Sequence, residues 1–475
     1  MSELIYNITM IFQIFMFILS GYYLVISIFG LRLKEENTDD VSPEKTFALI
    51  VAAHNEEMVI GQIVESLKNQ DYPSELYDIF VIADNCTDNT KLVAEKHGAK
   101  VYERFNSDKR GKGYALEWMF NNIFKMKKKY DAVVVFDADN LASRNFLREM
   151  NRKLKEGYRV VQGYIDSKNP HDSWITESYS ISFWTANRLF QASRAKLGLS
   201  NQIGGTGFCV ETELLKEFGW GATCLTEDLE FTCKLVLNGY KVGWAHNAVV
   251  YDEKPLTLKQ SWYQRKRWMQ GFADVASRFF TKLMKKAFRD KDLVAFDCAL
   301  YTVQPFVVIG LGISVLLNFI QNNNGTGSGF NIFVIDSIFN PVVWKIFSVF
   351  QFLFTPFVMV LEKKLSKRIL AFFALYSMNI FIMSAIFDND TNFLVLALAH
   401  GLYLSLFLMV ILWLEGKKSF KLFIWYLLYG IYTLTWIPIT IQGIMDKNKK
   451  EWSHTKHTRQ ISINEIEGME NKSIA

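Results

Sequence analysis

Several residues of this chain have types and spacings that could do chemistry. Asp137-Ala138-Asp139 closes the apolar run Ala132 to Phe136. Two carboxylates spaced i, i+2 at a strand end can hold a hard divalent cation, Mg²⁺ or Mn²⁺, against a diphosphate. A solvated Asp-rich turn leaves the same trace. Thr226-Glu227-Asp228 opens a helical pattern, with Thr226 as the expected N-cap. A carboxylate at a helix N-terminus is favoured in its ionised form, which suits a general base. The plain alternative is a pair of acids that only complements the helix dipole. Gln264, Arg267 and Trp268 fall on one side of a helix by i, i+3, i+4 spacing. Trp offers a flat face to a sugar ring, and Arg can neutralise a diphosphate leaving group. An amphipathic helix with snorkelling arginines competes with that reading.

Three more stretches suit a nucleotide. Asp84 ends a second apolar run and is followed by Asn85, Thr87 and Asp88. Its carboxylate can accept from a nucleobase or ribose, while Asp88 suits a cap on the next helix. Ala52, Ala53, His54, Asn55 and Glu56 pass from small to polar residues, which lets a ring approach closely. Lys109-Arg110-Gly111-Lys112-Gly113 is basic and glycine-rich just before a helix. Backbone amides, a helix N-terminus and Lys112 suit phosphate, although the Walker spacing is absent. Gly204-Gly205-Thr206-Gly207 permits close backbone approach to a ligand or a flexible turn.

These residues need a scaffold that brings strand ends together. The pattern gives strands at 46–54, 78–84, 100–104, 132–136 and 159–165, with helices at 57–69, 88–97, 112–128 and 144–156 between them. Alternation of this kind predicts a doubly wound, mostly parallel α/β sheet. Ligands in such sheets bind beyond the carboxyl ends of the strands, where the polar clusters at 54–56, 84–85 and 137–139 lie. Residues 172–199 read as a longer helical stretch. Residues 257–283 alternate aromatics with Lys and Arg, as a helix lying in a membrane interface does.

The flanks differ from this middle. The 50% hydrophobic and 15% aromatic content of the 475 residues is concentrated there. Residues 4–30 are long and apolar enough to span a bilayer, and they lack the features of a signal peptide. Glu3 before them and Arg32 and Lys34 after them place the N-terminus outside and the next domain in the cytoplasm. Further apolar runs lie at 294–320, 341–361, 369–387, 392–414 and 420–444. The uncharged loop 322–327, the basic group Lys363, Lys364, Lys367 and Arg368, and Asp388 with Asp390 alternate sides in turn. Lys417, Lys418 and Lys421 and the basic start of the tail, Asp446 to Lys450, cannot both be cytoplasmic if 420–444 crosses. Either 366–387 or 420–444 therefore lies in the interface or re-enters, giving five or six true spans. A net charge of +5 is too mild for a nucleic-acid partner. Cys86, Cys209, Cys224, Cys233 and Cys298 show no metal spacing and suit reduced thiols facing a cytosol.

In this order the motifs resemble those of the membrane-embedded, processive family 2 glycosyltransferases, the group of cellulose, chitin, hyaluronan and bacterial poly-N-acetylglucosamine synthases. The resemblance covers about residues 45–270 through motifs and the flanks through layout. It implies a cytoplasmic GT-A domain (35–256) between a first transmembrane helix (1–34) and interfacial helices (257–290). A channel-forming membrane region (291–445) and a cytoplasmic tail (446–475) would follow. It also implies roles. Asp228 is the expected general base, with Glu227 beside it. Ala53, Asn55, Glu56, Asp84, Lys112, Asp137, Gln264 and Arg267 would hold a UDP-sugar, and Asp139 and Asp137 a Mg²⁺ or Mn²⁺. Trp268, Gly205 and Thr206 would meet the acceptor. Glu451 to Thr455 is similar to a tail motif of relatives. The expected activity is polymerisation of UDP-glucose to a β-glucan, with mixed 1,3/1,4 linkage as one form, and export of the chain across the plasma membrane. UDP-N-acetylglucosamine polymerisation and single transfer to a lipid are the alternatives. The sequence departs from cellulose synthases in lacking an F-x-V-T pattern and a second-messenger domain, and in reading Gly-Gly-Thr-Gly where they carry Cys-Gly-Ser.

Overall fold

A computed structural model describes residues 2–33, 41–221, 224–323, 331–387, 392–449 and 457–474. Lys34, the loop 324–327, Asp388, Asp390 and the motif 451–455 lie outside these residues. The chain divides into two compact units, one of residues 1–31 with 307–437 and one of 32–306 with 438–475.

The second unit is built on one eight-stranded sheet. Its strands are β1 Phe47–Ala53, β2 Tyr77–Asp84, β3 Lys100–Arg104, β4 Ala132–Asp137, β5 Leu141–Ala142, β6 Val160–Ser167, β7 Phe208–Glu211 and β8 Val242–Asp252. They lie in the order β3-β2-β1-β4-β7-β6-β8-β5. The half expected from the sequence, β3-β2-β1-β4, is parallel throughout. The other half is mixed, because β7 runs antiparallel to both β4 and β6. That reversal matters for function. It brings the turn before Phe208 to the carboxyl end of β4, where Gly207 N donates to Val135 O at 2.8 Å.

Alternation along β1 explains the two-sided core. Phe47, Leu49 and Val51 face one apolar cluster with Ile60, Ile63 and Leu67 of the helix Ile60–Lys68 and Phe146, Leu147 and Met150 of the helix Phe146–Lys155. Ala48 and Ile50 face the other, with Leu116, Met119 and Phe120 of the helix Lys112–Lys125 and Phe231 and Leu235 of the helix Glu227–Leu237. Gly163, at the bulge where β6 shifts register against β8, has no room for a side chain. A Cβ there would lie 2.6 Å from Ala248 O and 2.9 Å from Gly207 O.

A 33-residue helix, Leu258–Asp290, begins with a capping box of Thr257 and Gln260. Val275, Phe279 and Leu283 on it share a core with Leu229, Cys233 and Val236 of the helix Glu227–Leu237 and with Ala295, Cys298 and Ala299 of the helix Leu293–Thr302. The two motif-bearing helices are thus packed on each other. All five cysteines are free thiols.

The first unit is helical. The described residues contain five helices long and apolar enough to cross a membrane: Glu3–Leu31, Gln304–Gln321, Pro341–Leu361, Lys367–Ile386 and Phe393–Met445. Their outer faces are apolar and exposed, as at Phe15, Leu398 and Leu402, which suits lipid rather than water. The two segments in question both contain breaks. Lys367–Ser377 and Asn379–Ile386 are separate helices, and 420–444 is divided at Thr435 between Phe393–Leu434 and Trp436–Met445; the first of these also bends at Gly416, where φ is 77°. Glu415, beside that bend, pairs with Arg368 at 2.5 Å.

Candidate active site

Register places the strand ends together. Ala52 is opposite Asp137, Ala53 opposite Ala83, and Asp84 opposite Arg104. Ala53, Asp84 and Asp137 therefore share one edge of the sheet. The turns that follow are held by side chains. Asn55 and Asn85 both adopt left-handed backbone, with φ of 56° and 51°, which Asn tolerates better than most residues. Asn55 Oδ1 accepts from Thr87 N at 2.8 Å, and Asn85 Oδ1 from Asn106 N at 2.8 Å. Asp84 is paired with Arg104, whose other arm donates to Lys109 O at 2.6 Å. Arg104 thus joins the second strand to the basic glycine loop. It gave no sign in the sequence, because a lone Arg on an edge strand resembles a surface residue.

Lys112 is the central cross-link. Its ammonium donates to Asp137 Oδ1 and, at 2.7 Å, to Gly205 O. The expected cation ligand Asp137 is therefore engaged by a lysine. Thr206 is turned inward: its hydroxyl donates to Asn140 Oδ1 and accepts from Asp137 N at 3.1 Å. A buried hydroxyl takes the partners at the strand end. Gly205 has a φ of 81°, and a Cβ on it would lie 3.3 Å from Asp228 Oδ2. The glycine turn thus runs against the proposed base, and the missing side chain leaves that carboxylate open. The Lys112→Met variant is expected to weaken UDP binding by about tenfold, a loss of about 1.4 kcal/mol, measured by calorimetry. Unchanged binding would remove Lys112 from the donor site.

Thr226 precedes the helix as expected, but its side chain makes no cap. It packs instead against Gly271, where a Cβ would lie 2.4 Å from Thr226 Oγ1. The motif's threonine serves helix–helix approach. A second expectation is also reversed. Burial raises the Asp228 carboxyl above its ordinary range, and the Asp137 charge adds to this. The Leu229 amide and Lys112 oppose the rise without cancelling it. Glu227 is raised too, first by burial and then by Asp228, with Lys112 and Arg267 pulling it down. Desolvation outweighs the helix terminus here. A base must be deprotonated to act, so the acid limb of the transfer rate should lie above that of an ordinary aspartate. The check is kcat/KM for UDP release between pH 4 and 8.

Gln264, Arg267 and Trp268 sit on the helix Leu258–Asp290. Gln264 Oε1 accepts from Tyr179 OH at 2.7 Å. Trp268 meets Tyr179 edge-on, with centroids 6.1 Å apart, and Phe183 at 6.4 Å. Tyr179 and Phe183 come from the helix Trp174–Ala186, which continues through a π-turn at Asn187–Ala192. The sequence places both only within the helical stretch 172–199. Lys254 lies 3.3 Å from the Phe183 ring centroid and pairs with Asp252 at 2.5 Å.

Asp139 faces a different set. Its Oδ2 accepts from Glu253 N at 2.9 Å and lies 4.0 Å from Nε2 of His457, whose Nδ1 is 2.9 Å from Glu56 Oε1. Burial would raise the Asp139 carboxyl, but His457, Lys168 and the Glu253 amide outweigh it and hold it below the usual range. Burial would lower the His457 imidazole, but Asp139 and Glu56 outweigh it and raise it to about 9, so His457 faces Asp139 as a cation. The ionised Asp139 carboxylate is the hard oxygen ligand that suits Mg²⁺ or Mn²⁺. Among the described residues no group of three or more His, Cys, Asp or Glu could hold a metal alone. The remaining ligands would have to come from a bound diphosphate, as is usual for Mg²⁺. Glu56 is thus committed to His457.

Comparison with known proteins agrees with this architecture. Residues 43–271 match the family described as "Glycosyltransferase like family 2", and the stretch is a family 2 glycosyltransferase domain with the GT-A fold. The Beta-monoglucosyldiacylglycerol synthase of Synechocystis sp. is 31% identical over 253 residues, 49% of this chain and 50% of that one. The Poly-beta-1,6-N-acetyl-D-glucosamine synthase of Staphylococcus epidermidis is 25% identical over 297 residues, 59% of this chain and 68% of that one. The chain spans about half the length of the cyanobacterial relatives it matches. Among solved structures, the mannosyltransferase PcManGT from Pyrobaculum calidifontis, in complex with GDP-Man and Mn²⁺, has a TM-score of 0.47 at 17% identity. That match covers 66% of this chain and 88% of the other.

Proposed function

We propose that the chain is a processive, inverting β-glycosyltransferase that uses a UDP-sugar, with UDP-glucose as donor and a β-glucan as product. The observation that carries this reading is the meeting of three motifs around Asp228. Gly205 abuts its carboxylate, Lys112 links Gly205 to Asp137, and the charges of Lys112 and Arg267 both act on Glu227. In this reading Ala53, Asn55, Asp84 and Lys112 line the nucleotide side, and Gln264 and Arg267 the diphosphate side. Trp268, backed by Tyr179 and Phe183, offers a face on which an acceptor sugar stacks.

Asp228 takes the proton of the acceptor hydroxyl. That oxygen forms a bond to the anomeric carbon on the face opposite UDP. The carbon–phosphate-oxygen bond breaks, and its electron pair leaves with UDP, so α becomes β. Arg267 and Lys112 lie where negative charge gathers. Asp139, with Asp137, would hold Mg²⁺ or Mn²⁺, which when bound stabilises charge on the departing diphosphate.

The apolar helices support a multi-pass protein of the plasma membrane, with the domain cytoplasmic and the polymer exported through the helical unit. Tyr376, Tyr403, Phe407, Phe423 and Tyr426 cluster within that unit, with Phe373–Phe423 centroids 4.9 Å apart. Phe373 and Phe423 are packed inside the cluster, and the half-buried Tyr376, Tyr403 and Phe407 are the members that keep ring surface for a sugar. One observation favours a second reading: the 31% identical cyanobacterial relative bears the name of a glucolipid synthase, so single transfer to a lipid acceptor is the competitor. Purified protein is to be incubated with radiolabelled UDP-glucose or UDP-N-acetylglucosamine and Mn²⁺. The product is then partitioned into organic solvent, sized, and digested with linkage-specific hydrolases. Long, water-soluble or insoluble glucan supports the first reading; label that partitions entirely into solvent overturns it.

A further inference from the structure

Residues 457–467 lie against the transferase domain although they are far in sequence from the family-matched stretch. Their attachment has two parts of different chemistry. The distal part is apolar. Ile461, Ile463 and Ile466 are 4%, 3% and 5% exposed and share a cluster with Leu141, Val249 and Tyr251 on β5 and β8. Arg144 reinforces it, donating to Asn464 Oδ1 at 2.6 Å and pairing with Glu467 at 3.2 Å.

The proximal part is polar and points to the donor edge. Thr458 N and Arg459 N donate to the two oxygens of the Glu253 carboxylate at 3.1 and 3.0 Å. Glu253 also pairs with Lys168 at 3.4 Å. Its own backbone amide donates to Asp139 Oδ2. One residue therefore touches both the tail backbone and the acid at the strand end. Next to this clamp, His457 bridges from Glu56 toward Asp139. Apolar burial alone would hold a tail on an edge strand. It does not account for a histidine led between two acids of different strand ends, nor for a carboxylate that accepts two consecutive backbone amides. Both features gain from a tail in one fixed position beside the diphosphate side of the site.

We propose that residues 457–467 are a wall of the donor pocket. In place, they complete the site for the nucleoside diphosphate, and Glu253 is the positioning residue that couples tail docking to Asp139. This rests on the nucleotide-sugar reading above. The occupant of the β5–β8 surface is the chain's own C-terminal segment, and the ligand enclosed is a nucleoside diphosphate.

The test uses the full-length protein in detergent with UDP and Mn²⁺. Binding is measured by calorimetry, and tail docking by limited proteolysis between residues 446 and 460. The Ile461→Asp/Ile463→Asp variant removes the anchors while leaving His457, Glu253 and Asp139 in the sequence, and Glu253→Gln keeps the amide to Asp139 while weakening the clamp. Both are expected to bind UDP at least tenfold more weakly than wild type and to be cut faster. UDP is expected to protect the wild-type tail, and Ile461→Val/Ile463→Val to restore binding. A thermal midpoint close to that of wild type shows that the variants are folded. Unchanged UDP affinity in a folded variant with a released tail overturns the proposal. So does tighter binding, which would make the tail a plug. Failure of wild type itself to bind UDP overturns this proposal together with the functional reading, so the two failures are distinct.

Discussion

Asp228→Asn is expected to lower sugar transfer by about 10³-fold or more while leaving UDP binding within about twofold. The amide keeps the shape of the side chain and can still accept from Leu229 N, which lies 2.8 Å from Asp228 Oδ1. It cannot take a proton. A loss of 10³ corresponds to about 4 kcal/mol of transition-state stabilisation. UDP release and polymer formation should vanish together, and calorimetric UDP binding should persist. Retained polymer synthesis would sink the assignment of the base. The same variant makes a second, opposite prediction. A carboxyl whose folded pKa is raised stabilises the fold at pH below its unfolded pKa and loses that stabilisation as pH rises through the folded value. Asp228 is such a group, so at neutral pH its charge works against folding. Asp228→Asn should therefore unfold a few degrees higher than wild type at pH 7, and the gain should shrink as pH falls. The proposed role as base would account for a destabilising charge at this position.

Asp297→Ala is expected to cost about 3–5 kcal/mol of stability. Asp297 and Arg194 form a two-pronged ion pair, Nε–Oδ2 2.7 Å and Nη2–Oδ1 2.9 Å, and both side chains are 1% exposed. The Arg194 guanidinium also lies 3.5 Å from the Phe190 ring centroid. Removing the acid strands a buried cation, which cannot reach water and loses its planar partner. The pair ties the stretch after the π-turn to the helix Leu293–Thr302. Phe190 in turn contacts Tyr301, and Tyr301 contacts Phe272 on the helix that holds Trp268. The unfolding midpoint should drop sharply. Transfer by the surviving folded fraction should also fall, because the Trp268 helix loses a support. The double variant Arg194→Met/Asp297→Leu should recover much of the stability, since a packed apolar pair avoids the desolvation cost. Equal stability of Asp297→Ala and wild type would show that the pair is not a strut.

The first half of the sheet was legible because its signals are local. Runs such as Phe47–Ala53 and Ala132–Asp137 are apolar throughout, flanked by helices of the right length, and end in polar residues. Parallel strands in that arrangement leave one choice for the binding edge. The second half was not legible as mixed, because β7 is only four residues long and its direction is set by partners on both sides. Thr226 shows a similar limit. Its type and position say N-cap, yet close approach of Gly271 decides where its side chain goes.

By itself the sequence determined the chemistry available: the carboxylates at 84, 137, 139, 227 and 228, the basic loop, and the basic–aromatic helix, in an order that resembles one enzyme family. It also determined the apolar helices, since length and hydropathy are local properties. Tertiary structure alone decided which groups meet. It placed Lys112 between Asp137 and Gly205, Arg104 on Asp84, and His457 between Glu56 and Asp139. It also raised Asp228 where the helix terminus alone would have lowered it. The reason is physical. Pairing and desolvation depend on distance in space and on burial, and a linear pattern records neither for residues hundreds of positions apart.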